Sequence, residues 1–308
     1  MKTCLIGGAG FLGTHLTKAL LDNDRDVVIL DRIEGVGHKR VKSIIGDYGD
    51  KSLLKKALDG VDEIVLLAYA SVPKTSFEDP SADMLNNLPP ALAFFETASK
   101  LPLRKVVFVS SGGTVYGTNT APVITENHPT NPISPYGITK LAIEKYAQMF
   151  HVSDNLPCVI VRPSNAYGEG QRPYSGQGLI ATLIASFLNN KDVTLFGGKE
   201  IVRDYIHASD IASAIVATLD HGKPGQSYNI GTGVGTSNIE ALTLIEKIAK
   251  KHKVTSPKII FKAPRIFDAK SNVLNSSKLQ RASGWTPKID LENGLAETWR
   301  WLITQNFK

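Results

Sequence analysis

The chain has 308 residues, is 42% hydrophobic and 21% charged, and carries a formal net charge of +6, values that suit an ordinary globular protein with ample core. No run of about 18 apolar residues is present, which excludes a membrane-spanning helix; the positive charge is scattered and lacks interleaved aromatic residues, which argues against a nucleic-acid partner and suits a small anionic substrate. Cys4 and Cys158 are the only cysteines and lie in apolar strand-like runs; they read as buried thiols of a reducing compartment, the cytoplasm, with neither disulfide nor metal site.

The opening KTCLIGG (2–8) reads as a strand, not a leader peptide. A helix is predicted over 11–23, where apolar residues recur three and four apart, followed by a strand at DVVILD (26–31) and a strand-like run at 41–45. A short helix over 52–60 is stopped by Gly60, and a strand follows at EIVLLAY (63–69). Then come a helix over 90–100, a strand over 105–111, a helix over 136–150 and a strand over 157–164. Continuous apolar strands separated by helices predict an α/β fold with a doubly wound parallel sheet covered on both faces. After residue 165 the pattern loosens into NAYGEGQRPYSGQG (165–178), with helices over 179–189, 209–220 and 237–251 and strand-like DVTLFG and SYNIGTG among them. The expected division is a dinucleotide-binding domain over 1–165, with later returns to its sheet over about 191–235, and a smaller interleaved C-terminal lobe over 166–308.

Four stretches carry chemistry. GGAGFLG sets Gly7, Gly10 and Gly13 at GxxGxxG spacing between a strand and a helix that opens on Phe11 and Leu12. Glycines there permit a tight turn and close backbone approach to a pyrophosphate seated on the helix N-terminus, although a glycine triplet alone is also an ordinary strand–helix turn. Asp31 ends the second strand, where an acid binds the adenosine ribose hydroxyls and repels a 2′-phosphate. That favours NAD over NADP, while the adjacent Arg32 pulls the other way. In GDYGD, Asp47 is placed to accept from the adenine amine with Tyr48 packing nearby, or is a turn aspartate. SSGGTVYG (110–117) offers the hydroxyls of Ser110, Ser111 and Thr114 at the carboxyl end of a strand, where ligands of such sheets collect. In SPYGITK (134–140), Tyr136 and Lys140 stand one helical turn apart. An ammonium beside a phenol favours the phenolate, so the pair reads as an acid–base device or as a half-buried aromatic beside a solvated lysine.

The order GxxGxxG, SSGGTVYG, YxxxK, RPSNAYG, RDYIHASD resembles the extended short-chain dehydrogenase/reductase family, nearest the NAD-dependent nucleotide-sugar epimerases of UDP-glucose 4-epimerase type. The resemblance spans essentially the whole chain and implies a Rossmann-type fold with a substrate-binding lobe. It implies that Tyr136 is the base toward a sugar hydroxyl, and that Lys140 binds the nicotinamide ribose and holds the phenol partly ionised. Hydride passes from the sugar C4 to NAD and returns to the other face of a 4-keto intermediate. Ala68, Tyr69 and Ala70 then lie along the cofactor with Ser110 and Pro163, and Asn87 lies near the active site. Asn165 meets the sugar or its diphosphate, Leu179 and Phe196 flank the nucleotide base, Arg203 and Arg265 clamp the diphosphate, and Asp268 meets the nucleotide ribose. His207 supports the fold, and Trp285 and Leu291 are core. Gly112 stands where these epimerases carry Ser or Thr, so Thr114 is the expected substitute hydroxyl, with Ser111 second. Gly113 and Thr114 stand where dehydratase relatives carry an Asp–Glu pair, so water elimination lacks its acid and base. The substrate expected is UDP-glucose/UDP-galactose or an N-acetyl form, and the partner a second copy docked through the helices over 90–100 and 136–150. Two other readings stay open: an NAD(P)H-dependent 4-keto-6-deoxy nucleotide-sugar reductase, and a non-catalytic dinucleotide-sensing module.

Overall fold

The computed structural model describes residues 1–118, 121–264 and 269–305. In chain order its first half contains β1 (Lys2–Ile6), α1 (Phe11–Asp22), β2 (Asp26–Asp31), β3 (Val41–Ile45), α2 (Lys51–Leu58), β4 (Glu63–Leu66), α3 (Pro73–Glu78), α4 (Pro80–Ala98), β5 (Lys105–Val109), α5 (Pro135–Asp154) and β6 (Cys158–Pro163). The second half adds β7 (Asn165–Tyr167), α6 (Leu179–Leu188), β8 (Val193–Phe196), β9 (Val202–Arg203), β10 (Tyr205–His207), α7 (Ala208–His221), β11 (Ser227–Ile230), β12 (Thr236–Ser237), α8 (Asn238–Lys251), β13 (Ile259–Lys262), β14 (Ser271–Asn272), α9 (Ser277–Ser283) and α10 (Leu291–Ile303).

Seven strands form one sheet in the order β11-β6-β5-β4-β1-β2-β3, with every pairing parallel. Every residue of β4, β5 and β6 is buried, which is why these runs are mostly apolar instead of alternating, with Glu63, Lys105 and Arg162 as buried charged exceptions. Alternate side chains serve two cores. Cys4 and Ile6 face Phe94 and Phe95 of α4 and Ile143 of α5. Leu5 faces the side holding Leu16 of α1, Ile215 of α7, Leu279 of α9 and Trp285. The smaller lobe has its own core, in which Leu183 and Phe187 of α6, Leu195 of β8, Ile245 of α8 and Trp299 of α10 meet. Leu291 packs at its edge.

The strand order reverses between β1 and β4, which opens a crevice at their carboxyl ends. β4 stops at Leu66, not at 69. Leu67 and Ala68 both donate to the Ile6 carbonyl at 2.9 Å, so the chain peels away into this crevice.

The sequence expectation differs from the structure in two larger ways. The helix read over 90–100 begins ten residues earlier, at Pro80, where Asp79 caps it, and Pro89 and Pro90 lie inside. Two adjacent prolines read as a helix start, yet burial of Phe94 and Phe95 against the sheet and α5 outweighs the backbone hydrogen bonds they forgo. Within 191–235 only β11 enters the main sheet; β8 pairs with β13 outside it.

Candidate active site

The turn after β1 is built for close approach. Gly7 has φ +84°, and a Cβ there would lie 2.6 Å from the Ala68 backbone nitrogen. A Cβ on Gly13 would strike the backbone of Gly8, so α1 rests directly on the turn. Gly10 caps α1 with no side-chain hydrogen bond, and the first turn, with Phe11 and Leu12 half-buried, holds no acid. Such a helix end attracts an anion. The Asp31 carboxylate accepts from the Ala9 amide at 2.9 Å, which fixes it at the rim of the same turn.

Arg32 is committed elsewhere than to a phosphate. Its Nε and Nη2 donate to one Asp47 oxygen at 2.9 and 2.6 Å. The Gly49 amide, and then Arg32, hold the Asp47 carboxyl below its ordinary range. Tyr48, Ala68 and Tyr69 pack against the core beneath, and Ala70 is exposed.

Tyr136 and Lys140 lie on α5. Ser134 caps the helix by accepting from the Gly137 amide at 3.1 Å, and Pro135 pre-sets its first turn. Tyr136 is therefore presented at a helix N-terminus beside the end of β5. The Ser111 hydroxyl stands on the phenol's side of the turn, where it favours the ionised form of Tyr136. Lys140, one turn further, is buried, donates to the Val109 carbonyl at 2.9 Å, and lies 4.1 Å from the Tyr69 ring centroid and 5.9 Å from that of Tyr136. A point just off Gly113 lies 3.4 Å from Asn165 Oδ1 and 3.8 Å from Ser111 Oγ, so both side chains border one small space. Ser110 Oγ, Thr114 Oγ1 and Ser164 Oγ are buried without a hydrogen-bond partner, as expected of polar atoms at the wall of a ligand site.

Electrostatics correct one expectation. Burial, and then the charge of Asp83, push the Tyr136 phenol above its ordinary value, and the Ser111 hydroxyl opposes them. Burial pulls Lys140 down to about 7, against Glu144 and Asp83. In the chain alone the neighbouring ammonium therefore does not make the phenol acidic, because desolvation disfavours both charges.

Other expectations shift as well. Thr114 Oγ1 is buried with no hydrogen-bond partner, and Ser111 is the hydroxyl that favours ionisation of the phenol. No side chain fits at Gly112, where a Cβ would strike Leu274 and lie 2.8 Å from the Arg162 carbonyl and 3.2 Å from that of Pro163. Asn87 is buried and spends both ends of its amide on backbone: it accepts from Ala70 at 2.7 Å and donates to the Asp83 carbonyl at 2.7 Å. It holds the loop after β4. Pro163 ends β6, with its carbonyl accepting from Gly112 at 2.8 Å. His207 caps α7 by accepting from the Ser209 amide at 3.3 Å, a structural role as read.

Leu179, Phe196 and Arg203 belong to elements of the smaller lobe. Leu179 opens α6 and Phe196 ends β8, each half-buried. Arg203 Nη1 donates to the Val202 and Ala269 carbonyls at 2.9 and 2.6 Å. Arg265 and Asp268 lie outside the described residues.

Sequence reasoning passed over three groups. Asp83 is buried beneath Tyr136 and Lys140, accepting from Thr139 at 2.7 Å and from Ser71. Arg162, on β6, grips Glu144 of α5 at 3.0 and 2.6 Å and donates to Tyr116 at 2.9 Å, which in turn donates to Asn229 at 2.7 Å. This network anchors the helix that carries Tyr136. Asp204 accepts from Thr232, Gly233 and Leu274 and ties three segments together. The helical spacing of Tyr136, Lys140 and Glu144 is the one available signal; Asp83 has none beyond its place one turn before Asn87.

A glycine turn at a sheet reversal, an uncapped helix and a Tyr–Lys pair beside the next crevice strand define a dinucleotide-dependent α/β enzyme. Residues 3–231 match the NAD dependent epimerase/dehydratase family, and the chain belongs to it. It is 33% identical to the putative UDP-glucose 4-epimerase of Methanocaldococcus jannaschii, over 97% of this chain and 98% of that one. It is also 33% identical to the UDP-glucose 4-epimerase of Mycolicibacterium smegmatis, over 97% of each. Among solved structures, the Thermus thermophilus UDP-glucose 4-epimerase in complex with NAD superposes with a TM-score of 0.90 at 31% identity, covering 99% of both chains. The Thermotoga maritima UDP-glucose 4-epimerase with UDP-glucose gives 0.91 at 29%, covering 98% of this chain and 99% of that one.

Proposed function

We infer that the protein is an NAD-dependent nucleotide-sugar 4-epimerase acting on UDP-glucose/UDP-galactose or their N-acetyl forms. The observation that carries this reading is the buried Lys140, held by the Val109 carbonyl one helical turn from Tyr136, at a crevice whose glycine turn fits a pyrophosphate. Full-length similarity to UDP-glucose 4-epimerases supports the reaction class.

The residues fit NAD. Gly7, Gly10, Phe11, Leu12 and Gly13 would receive its pyrophosphate, Asp31 its adenosine ribose, and Asp47 and Tyr48 its adenine. Ala68, Tyr69, Ala70, Ser110 and Pro163 would line the nicotinamide half, with Lys140 on the ribose. When bound, NAD supplies reversible hydride acceptance. Tyr136 takes the proton of the C4 hydroxyl, and Ser111 shares that oxygen and keeps the phenol aimed at it. A cationic ring added beside Tyr136 offsets the burial that holds its proton. Asn165 borders the same space and would fix the sugar. Leu179 and Phe196 would flank the base, Arg203 and Arg265 the diphosphate, and Asp268 the nucleotide ribose. Dehydration lacks its acid and base at Gly113 and Thr114.

No helix among the described residues is long and apolar enough to cross a membrane, and both thiols are free and buried; these support a cytoplasmic enzyme. Met84 and Leu85 of α4 and Ile138, Tyr146, Met149 and Val152 of α5 are exposed, which supports a homodimer formed through these helices.

The test is to incubate the purified protein with UDP-galactose and follow the sugar signals by NMR. Interconversion with no net change in the NADH absorbance band is expected. Stoichiometric consumption of NAD(P)H on a 4-keto sugar would instead establish the reductase. Tyr136→Phe should lower kcat by about 10²–10⁴-fold, the usual share of a general base, and full retention of turnover would remove the role given to the phenol.

A further inference from the structure

Asp83 is a buried carboxylate whose described side-chain partners are all hydroxyls. Thr139 donates to it at 2.7 Å, Ser71 donates to it, and the Tyr69 hydroxyl stands 3.4 and 3.5 Å from its two oxygens. No salt bridge reaches it among the described residues. A charge placed out of water with hydroxyls alone is costly, so its balance lies elsewhere, and the cation that its field reaches is Lys140. Tyr69 links the two. Its ring face receives the Lys140 ammonium at 4.1 Å from the centroid, its ring centroid lies 4.7 Å from that of Tyr136 with the planes inclined at 66°, and its hydroxyl points at Asp83 and at the Tyr136 carbonyl. Asn87, one turn along the same helix as Asp83, clamps Ala70 and so fixes the loop that carries the ring. Two helices and one loop thus converge on a single ammonium.

We propose that Tyr69 and Asp83 are positioning residues for the Tyr136–Lys140 pair, the ring face and the carboxylate together keeping the Lys140 ammonium charged and aimed between the Val109 carbonyl and the phenol. The proposal rests on the acid–base roles given above to Tyr136 and Lys140. The groups facing Lys140 are the Tyr69 ring and Asp83, the Phe108 ring and Val109 carbonyl on β5, and Tyr136 and Glu144 on its own helix. Glu144 is already paired with Arg162, which leaves Asp83 as the carboxylate with no cation in direct contact. A desolvated cation over an aromatic face is a favourable arrangement, and it offsets burial that would otherwise neutralise the amine near pH 7.

The signs separate this role from a merely structural one. Removing the Asp83 charge lowers the pKa of every nearby group. In Asp83→Asn both limbs of the kcat profile therefore move to lower pH, the acid limb set by Tyr136 and the alkaline limb set by Lys140. Each is expected to move by about one unit, a tenfold change in kcat at a fixed pH on the alkaline limb. Tyr69→Leu removes a neutral ring, so only the alkaline limb moves. Tyr69→Phe keeps the ring face and should leave that limb where the unaltered protein has it.

The experiment measures kcat against pH for the NAD-loaded protein and the three variants on UDP-galactose. In parallel, the Tyr136 phenolate is titrated by ultraviolet absorbance, each protein against its own Tyr136→Phe counterpart. A rate loss in Asp83→Asn and Tyr69→Leu with both limbs fixed in pH, and an unmoved phenolate titration, would overturn the cradle. Should Asp83→Asn fail to fold, Tyr69→Leu against Tyr69→Phe decides by the alkaline limb alone. If the unaltered protein epimerises nothing but its phenolate titration still shifts in Asp83→Asn, the cradle stands and the functional reading falls.

Discussion

Placing Ser at position 112 tests the site from the side of its steric limits. The hydroxyl common in this family would return, yet Gly112 has no room for it. A Cβ would strike the Leu274 side chain and sit 2.8 Å from the Arg162 carbonyl and 3.2 Å from that of Pro163. Leu274 can rotate aside; the two carbonyls cannot, because they belong to β6 inside the main sheet. Gly112 itself is pinned, its amide donating to Pro163 at 2.8 Å and its carbonyl accepting from Asn272 at 2.9 Å. Forcing atoms into such a place costs about 1–3 kcal/mol, which for a chain of this size is a fall in Tm of roughly 2–5 °C. The strand that must move carries Arg162, the anchor of α5, so the loss reaches Tyr136. Gly112→Ser should therefore melt earlier by calorimetry and turn over more slowly. Ser111→Ala, by contrast, should keep its Tm and lose roughly 10²–10³-fold in kcat, the scale seen when one oriented hydrogen-bond donor is removed from a reacting oxygen. A Gly112→Ser protein with unchanged Tm and a higher kcat would refute both the packing argument and the assignment of the hydroxyl to Ser111.

Glu144→Leu leaves the buried Arg162 unpaired and should cost about 3–5 kcal/mol in chemical denaturation; the double variant Glu144→Leu/Arg162→Leu should recover much of it. Asp47→Ala frees the Arg32 guanidinium, so NADP affinity should rise relative to NAD by calorimetric titration, and an unchanged ratio would mean that Arg32 does not reach the 2′ position. His207 is held below its ordinary pKa by burial and by His15. The folded state thus binds fewer protons than the unfolded one. Stability is complete above about pH 6.5, the unfolded value, and falls as pH drops below it; denaturation midpoints in His207→Asn, which preserves a capping side chain, should show less of that acid decline.

The main sheet was legible because burial on both faces leaves mostly apolar runs, and the helices because their apolar residues follow the helical period. The glycine turn was legible because only glycine permits the approach of Ala68 to Gly7. What escaped was set by contact across long separations. Asp83 is an ordinary acid in a polar stretch until Thr139, 56 positions on, is folded against it. The two- and three-residue strands β7, β9, β10, β12 and β14 are too short to show alternation. Residues 89 and 90 misled because proline's local preference for a helix start was overridden by the packing of the residues that follow. The tight fit at Gly112 was invisible as well, because it is set by Leu274 and by the carbonyls of Arg162 and Pro163, all distant in sequence.

The resting electrostatics of the pair bear on how such a site can store NAD without wasting it. In the chain alone the phenol is held protonated, and burial brings the amine near neutrality. Both are costs of burial, and both are relieved by charge of the right sign placed nearby. A cation beside the phenol favours its ionised form; a carboxylate and an aromatic face beside the amine favour its protonated form. Asp83 cannot serve both residues equally, since the same negative charge that steadies Lys140 opposes ionisation of Tyr136. On the roles proposed for the pair, the proton of Tyr136 would be released against an added positive charge, which would confine proton acceptance from a sugar to the state with the oxidised, cationic cofactor in place.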